Sequence, residues 1–228
     1  LFRSGRDFIR FGRGINYTLN DGTTINIDEA YPDAAEGTVF INEAGYPVAD
    51  PESRFLKDPN PDWTAGIRNE FTFFGKLKLS TFIDIKQGNY VWNGTKQVLY
   101  RFGTHEDTEA RGTTKVFEGE GPGAGEEVEL DQNWYRGAGY LVTTPFIEDG
   151  SYVRLREIAL SYNLKHKFVS YFGLSDIDIR LSGRNLHLWT DYTGIDPETN
   201  LNDTNGRGMD YFNMPNTKSY VLTLRFNY

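Results

Sequence analysis

The segment Ser219–Tyr228, SYVLTLRFNY, constrains the fold of this chain more than any other. Successive side chains of a strand alternate between its faces. Tyr220, Leu222, Leu224, Phe226 and Tyr228 therefore share one face, and Val221, Thr223, Arg225 and Asn227 share the other. An apolar face opposite a polar one, closing on an aromatic residue, suits a strand with lipid on one side and a wet or plugged lumen on the other. A soluble β-sandwich also uses alternating strands, so the rest of the chain has to separate the two.

Composition removes several classes. The 228 residues suffice for one or two soluble domains. The hydrophobic fraction is only 38% and the mean hydropathy −0.55, yet there are 16 Phe and 14 Tyr. No run approaches the roughly 20 apolar residues of a membrane helix. A barrel needs no such run, because its strands keep half their residues in polar surroundings. A net charge of −8 leaves no basic face to exchange counterions with phosphate, so nucleic acid is not an expected partner. Without cysteine there is neither a disulfide framework nor a thiolate metal site. The opening Leu1–Asp7, LFRSGRD, has no initiator Met, apolar core or small-residue cleavage site. The expectation is a chain that starts partway through a longer polypeptide.

Alternation places strands near 7–17, 63–75, 77–88, 152–164, 177–190 and 219–228. Several match the roughly 9–11 residues of a tilted spanning strand. The alternation slips at Arg156–Glu157 and again at Gly183–Asn185, which predicts bulges or departures from the apolar band. Between the strands, 18–62, 89–150 and 191–217 are long and rich in turn formers, whereas 75–76 and 165–176 are short. Short strands are expected at 24–27 and 38–41, and a helical turn or two at 98–102. With the last strand running inward, every long loop lies outside and every short turn inside, the asymmetry of a bacterial outer-membrane barrel. Six strands cannot close such a barrel, since the smallest use about eight and an open edge cannot face hydrocarbon. The fold class expected is all-β: an antiparallel transmembrane β-barrel portion of about six C-terminal strands with long extracellular loops.

Seven segments carry a resemblance to a known family: Asp58–Trp63 (DPNPDW), Asp84–Gly88 (DIKQG), Val91–Lys96 (VWNGTK), Gly150–Tyr162 (GSYVRLREIALSY), Ser182–Tyr192 (SGRNLHLWTDY), Gly194–Asn200 (GIDPETN) and Met214–Tyr220 (MPNTKSY). Together they resemble the C-terminal barrel region of SusC/RagA-type, TonB-linked outer-membrane transporters of Bacteroidota, from about residue 37 onward. The resemblance implies a barrel of about 22 strands. It also implies a plug and TonB box lying outside this chain, coupling to TonB–ExbB–ExbD, and a SusD-like surface lipoprotein over the top. The family imports oligosaccharides, peptides or other nutrients and is not known for catalysis. The alternatives are a structural or docking barrel subunit of an envelope assembly, and a soluble carbohydrate-binding β-sandwich.

Loop aromatics are the candidate ligand contacts. Tyr90, Trp92, Trp134 and Tyr135 could stack on sugar rings or grip a peptide. Trp189, Tyr192 and Tyr228 suit an aromatic girdle at the membrane interface or contact with a lid. Asp191, Asp196, Glu198, Asn200, Asn202 and Asp203 make an oxygen-rich loop that could hold Ca²⁺ through Asp196, Glu198 and Asn200, but it lacks the spacing and mid-loop Gly of an EF-hand. A solvated loop is the simpler reading, and no cofactor is expected. Gly119–Gly125 follows no strand and opens no helix, so it is not a phosphate-binding loop. His105, His166 and His187 have no metal-ligand spacing, and no catalytic set emerges, so no enzyme is expected. Arg68, Glu70, Lys78, Asp84 and Lys86 should face the lumen and pair with one another or with a plug.

Overall fold

The computed structural model describes residues 4–165, 167–201 and 206–228. The chain divides into two compact units, one of 1–58, 92–148 and 201–212, the other of 59–91, 149–200 and 213–228.

The second unit is built on one antiparallel five-stranded sheet: β1 (Trp63–Phe73), β2 (Leu77–Gln87), β3 (Tyr152–Leu164), β4 (Asp176–Thr190) and β5 (Ser219–Asn227), each strand beside its sequence neighbour. The register aligns the apolar positions into continuous rows. One row is Phe71–Leu79–Leu160–Leu181–Leu222, the next is Phe73–Leu77–Tyr162–Ile179–Leu224, and a third is Ile67–Ile83–Leu155–His187. A one-residue slip would turn each of these sets over, so the register is fixed by the face each set must occupy. Among the described residues of this unit nothing covers this face: Leu222 is 63% exposed, Leu181 55% and Phe71 52%. An uncovered apolar sheet of this extent is what lipid, not water, tolerates.

Rows on the opposite face are polar. They include Thr72–Lys78–Ser161–Arg180–Thr223 and Arg68–Phe82–Glu157–Arg184–Ser219. The charges pair across strands as the sequence suggests. Lys78 meets Glu70 at 3.2 Å, and Glu157 receives both Arg180 (2.6 Å) and Arg184 (3.3 Å). The Arg68 guanidinium lies over the Phe82 ring at 4.9 Å.

The alternation slip at Arg156 is a bulge. The register of β3 shifts between Leu155 and Glu157 against both neighbours, and Asn185 on β4 has φ 50°. The inserted residue flips the parity of β3. Val153 and Leu155 share the apolar face with Ile158, Leu160 and Tyr162, while Arg154 and Glu157 stay on the polar one.

The sheet is asymmetric end to end. β1 and β2 join through Phe74-Gly75 with φ of 51° and 68°, closed by the Lys76 amide donating to the Phe73 carbonyl at 3.1 Å. Positive φ at both central residues marks the mirror-image turn that suits twisted hairpins. Gly75 takes that conformation freely, but Phe74 pays for its Cβ and is 97% exposed. Phe74→Asn is therefore expected to stabilise the hairpin by about 1 kcal/mol, read as a raised unfolding midpoint in urea. A midpoint unchanged or lowered would mean that the Phe74 ring has a contact worth more than the strain. β3 and β4 join through a short helix, Lys167–Tyr171. At the other end, β2–β3 and β4–β5 are bridged by long excursions that supply 92–148 and 201–212 to the first unit.

Residues 7–17, expected as a further long strand, do not form one. Ser4–Phe8 pairs with Ala49–Phe55, and the chain then turns at Gly12 (φ 84°) and Gly14 (φ 64°), whose amides both donate to the Asp28 carboxylate. Asn16–Thr18 pairs instead with Thr24–Asn26. Ile9 and Phe11 are buried with Ile27 and Phe40 in a core of the first unit. In place of the strand expected at 38–41, Val39, Phe40 and Ile41 make isolated bridges to Arg10, Glu120 and Pro47. The glycine-rich stretch after Glu118 runs hard against this segment, where a Cβ on Gly121 would lie 2.1 Å from the Ile41 carbonyl oxygen.

The first unit also holds a charged cluster. Burial alone would raise the Asp7 carboxyl, but hydrogen bonds from Arg10, Arg13 and Thr144 outweigh it and hold it below the usual carboxylate value. A group depressed on folding contributes stability above its unfolded value, near pH 4, and loses it as pH falls through the folded one. Amide exchange of Ser4–Phe8 should therefore accelerate below about pH 4, and Asp7→Asn should remove that dependence.

Candidate functional site

Arg154 and Arg156 reach from the bulged strand β3 to the segment Gly194–Asn200 of the same unit. Arg154 Nη2 donates to Asp196 Oδ1 at 2.5 Å, and Arg154 Nε lies 3.5 Å from Glu198 Oε2. Arg156 donates to Asp84 on β2 at 2.6 Å and to both Glu198 oxygens, at 2.8 Å for Oε2. Asn216, just before β5, closes the set through bonds to Asp196 (3.1 Å) and Glu198 (2.9 Å). The bulge explains this geometry: it lets residues 154 and 156, with Glu157, all serve the polar side. The side chains of Arg154 and Asp196 are 4% and 3% exposed, so the pair is almost fully dry. Its chemical role is to lock one loop onto the strand end.

The same arrangement accounts for the oxygen-rich loop. Asp196 Oδ1 and both Glu198 oxygens accept from guanidinium groups, Asp196 Oδ2 accepts from Asn216, and Asn200 Nδ2 donates to the Glu198 carbonyl. A Ca²⁺ ion there would have to displace two arginines. Among the described residues no group of three or more His or acidic side chains is placed to hold a metal. Asn202, Asp203 and His166 lie outside the described residues. His105 caps the turn at Glu106 by accepting from the Asp107 amide, and the His187 ring lies 4.4 Å from Trp189 on the apolar face.

The loop aromatics divide. Trp134 and Tyr135 were expected as exposed ligand contacts; instead they are 8% and 5% exposed and form a second core of the first unit with Leu130, Tyr46, Tyr100 and Phe117. The reason is local. Asp131 caps the helix α2 (Gln132–Arg136) by accepting from the Trp134 amide at 2.9 Å, which turns both rings onto α1 (Gly94–Phe102) and its surroundings. Burial pushes the Tyr135 hydroxyl above its ordinary value, so it stays a proton donor at neutral pH. Trp92 is half-buried, stacks on Tyr211 (centroids 6.1 Å, 12° between planes) and donates its indole N–H to Gln97 at 2.6 Å. Both rings line a cleft of about 350 Å³ with Gln97, Val98, Tyr140 and Met209. Tyr90 is half-buried at the start of the strand Tyr90–Asn93.

Of the expected girdle, Trp189 is 51% exposed on the apolar face, level with Val153, Ile85 and Ala65. Tyr228 is exposed beyond the end of β5. Tyr192 is a correction: it is 5% exposed, its ring folded over Gly194, and cannot sit in an interface. Trp63 was missed. It opens β1 on the apolar face at the same end as Trp189, while Phe73 and Tyr162 mark the other end. Ten residues of strand span roughly 33 Å, and a tilt near 45° projects them onto about 23 Å, close to the apolar band of an outer-membrane barrel.

An uncovered apolar face between aromatic ends, a polar face laced by ion pairs, short turns at one end and long excursions at the other define a segment of an outer-membrane barrel wall with its loops. No family model matches the sequence. The chain is 28% identical over 187 residues to TonB-dependent receptor P3 of Formosa agariphila, covering 79% of this chain and 18% of that protein. It is 27% identical over 208 residues to TonB-dependent receptor P26 of the same organism, covering 86% and 20%. The chain thus spans about a fifth of the length of the curated relatives it matches. Among solved structures its fold is similar to the RagAB peptide importer in the open-open state, with TM-score 0.56, 17% identity, and 99% of this chain against 22% of that one. The RagAB peptide transporter gives 0.54 and 19%, over 98% and 22%. Sequence and fold agree: over most of its length the chain is similar to a part of two TonB-dependent receptors, and its fold is similar to a part of the RagAB peptide importer.

Proposed function

We propose that this chain is the part of an outer-membrane, TonB-dependent importer that supplies a stretch of barrel wall and the extracellular loops above it. In this reading the apolar rows face lipid, the charged rows face a plug carried elsewhere in the polypeptide, and the unit rich in loops meets nutrient and a SusD-like surface lipoprotein. Oligosaccharides and peptides are the cargo classes. Energy enters through TonB–ExbB–ExbD acting on that plug, not through this chain. The observation that carries the reading is the pairing of an uncovered apolar sheet face with sequence similarity to two TonB-dependent receptors.

The test is uptake of fluorescent oligosaccharides and oligopeptides by cells with and without the gene, each with and without a protonophore. Loss of one cargo's uptake on deletion, and equally on protonophore treatment, is the expected result. Uptake indifferent to both treatments would overturn the assignment. Purification of the receptor from native membranes should bring down a surface lipoprotein, and its absence would remove that partner.

A further inference from the structure

One cleft of the first unit, about 550 Å³, is unlike the rest of this acidic chain. Its walls carry Arg101, Arg111 and Arg136, with Phe102 and Leu130 as apolar surface and Tyr135 beside them. Among the described residues none of these arginines is in an ion pair. Arg111 Nη1 donates to the Gly103 carbonyl at 3.1 Å, which anchors the guanidinium and leaves its other donors unused. Arg101 lies over the Tyr140 ring at 4.7 Å. Of the acids in the lining, Asp131 is engaged in capping α2 and accepting from Asn133, which leaves Glu129. The Tyr135 hydroxyl is fully buried and has no hydrogen-bond partner among the described residues. A buried donor without an acceptor is a cost that a ligand oxygen would remove.

We infer that this cleft binds the carboxylate of a ligand, with Tyr135 and the arginines donating to it and Phe102 and Leu130 packing against its apolar body. Three guanidinium groups exceed the acids left in the lining, and arginine matches a planar carboxylate through two parallel bonds. Two nutrient sources carry that group on a compact body, the end of a peptide and a uronic acid. The inference rests on the importer reading, because it is the loop-rich unit that would meet cargo there.

The test is calorimetric titration of the intact, detergent-purified receptor with four probes: trileucine, its C-terminal amide, a galacturonic acid trimer and the trimer's methyl ester. One of the two acids should bind at least about tenfold more tightly than its neutral counterpart, and which one does so names the source. Tyr135→Phe and Arg111→Gln should each weaken that acid by roughly tenfold or more and leave the neutral probe unchanged. Equal binding of acid and neutral forms, no binding of any probe, or both variants binding like the parent would overturn the inference. Uptake in cells separates the two readings. Protonophore-sensitive uptake without any preference for acidic cargo defeats the cleft assignment alone, whereas protonophore-insensitive uptake defeats the importer.

Discussion

Arg154→Ala in the intact receptor lowers barrel stability by about 3–5 kcal/mol, the cost of leaving one member of a buried ion pair unpaired. Arg154 and Asp196 are both nearly inaccessible to water, and among the described residues Asp196 keeps the Glu198 amide and Asn216 as donors once the guanidinium is gone. Those neutral donors do not balance a dry carboxylate. Replacing both partners, Arg154→Met with Asp196→Leu, should recover much of the loss, because the uncompensated charge goes with its partner. Urea unfolding of the receptor from lipid vesicles measures all the variants needed for a double-mutant cycle. A single variant within about 0.5 kcal/mol of the parent would mean that water reaches the pair.

Ile67→Arg is the second large effect. Ile67 is 46% exposed on β1, in the row with Ile83 and Leu155 near the middle of the span. In water an arginine at such a site changes stability by about 0.5 kcal/mol or less. At the midplane of a bilayer it costs about 2–4 kcal/mol. Ser80→Arg, on the opposite face and directly across from Glu70, is the matched control and should cost less than about 1 kcal/mol. Equal costs at the two positions would contradict the assignment of the faces.

These two residues also mark what a sequence can and cannot disclose. Ile67 was legible, because a spanning strand writes its faces at a period of two and nothing else fits Phe71, Ile83, Leu160 or Leu222 as well. The bulge at Arg156 was legible for the same reason, since an inserted residue breaks the alternation at that point. The partners of Arg154 and Arg156 were not. Asp196 and Glu198 lie 42 residues away, so their acid-rich segment looks like a cation site until the strand that neutralises it is in place. Residues 7–17 failed because Gly12 and Gly14 sit at positive φ and turn the chain where alternation suggested extension. Trp134, Tyr135 and Tyr192 failed because the long loops bury their own aromatics, so lying in a loop does not mean facing solvent. The binding role proposed for Tyr135 rests on a different feature, a buried hydroxyl with no hydrogen-bond partner among the described residues.

The most direct test of the central claim is the environment of each residue along β1 in a lipid bilayer. Single cysteines, each the only one in the receptor, are placed from 64 to 73, spin-labelled and exposed to oxygen and to a water-soluble nickel chelate. Positions 65, 67, 71 and 73 should be accessible to oxygen and shielded from nickel, with 64, 66, 68, 70 and 72 shielded from oxygen. Nickel access at every position, or no alternation, would mean that this sheet is not a barrel wall facing lipid.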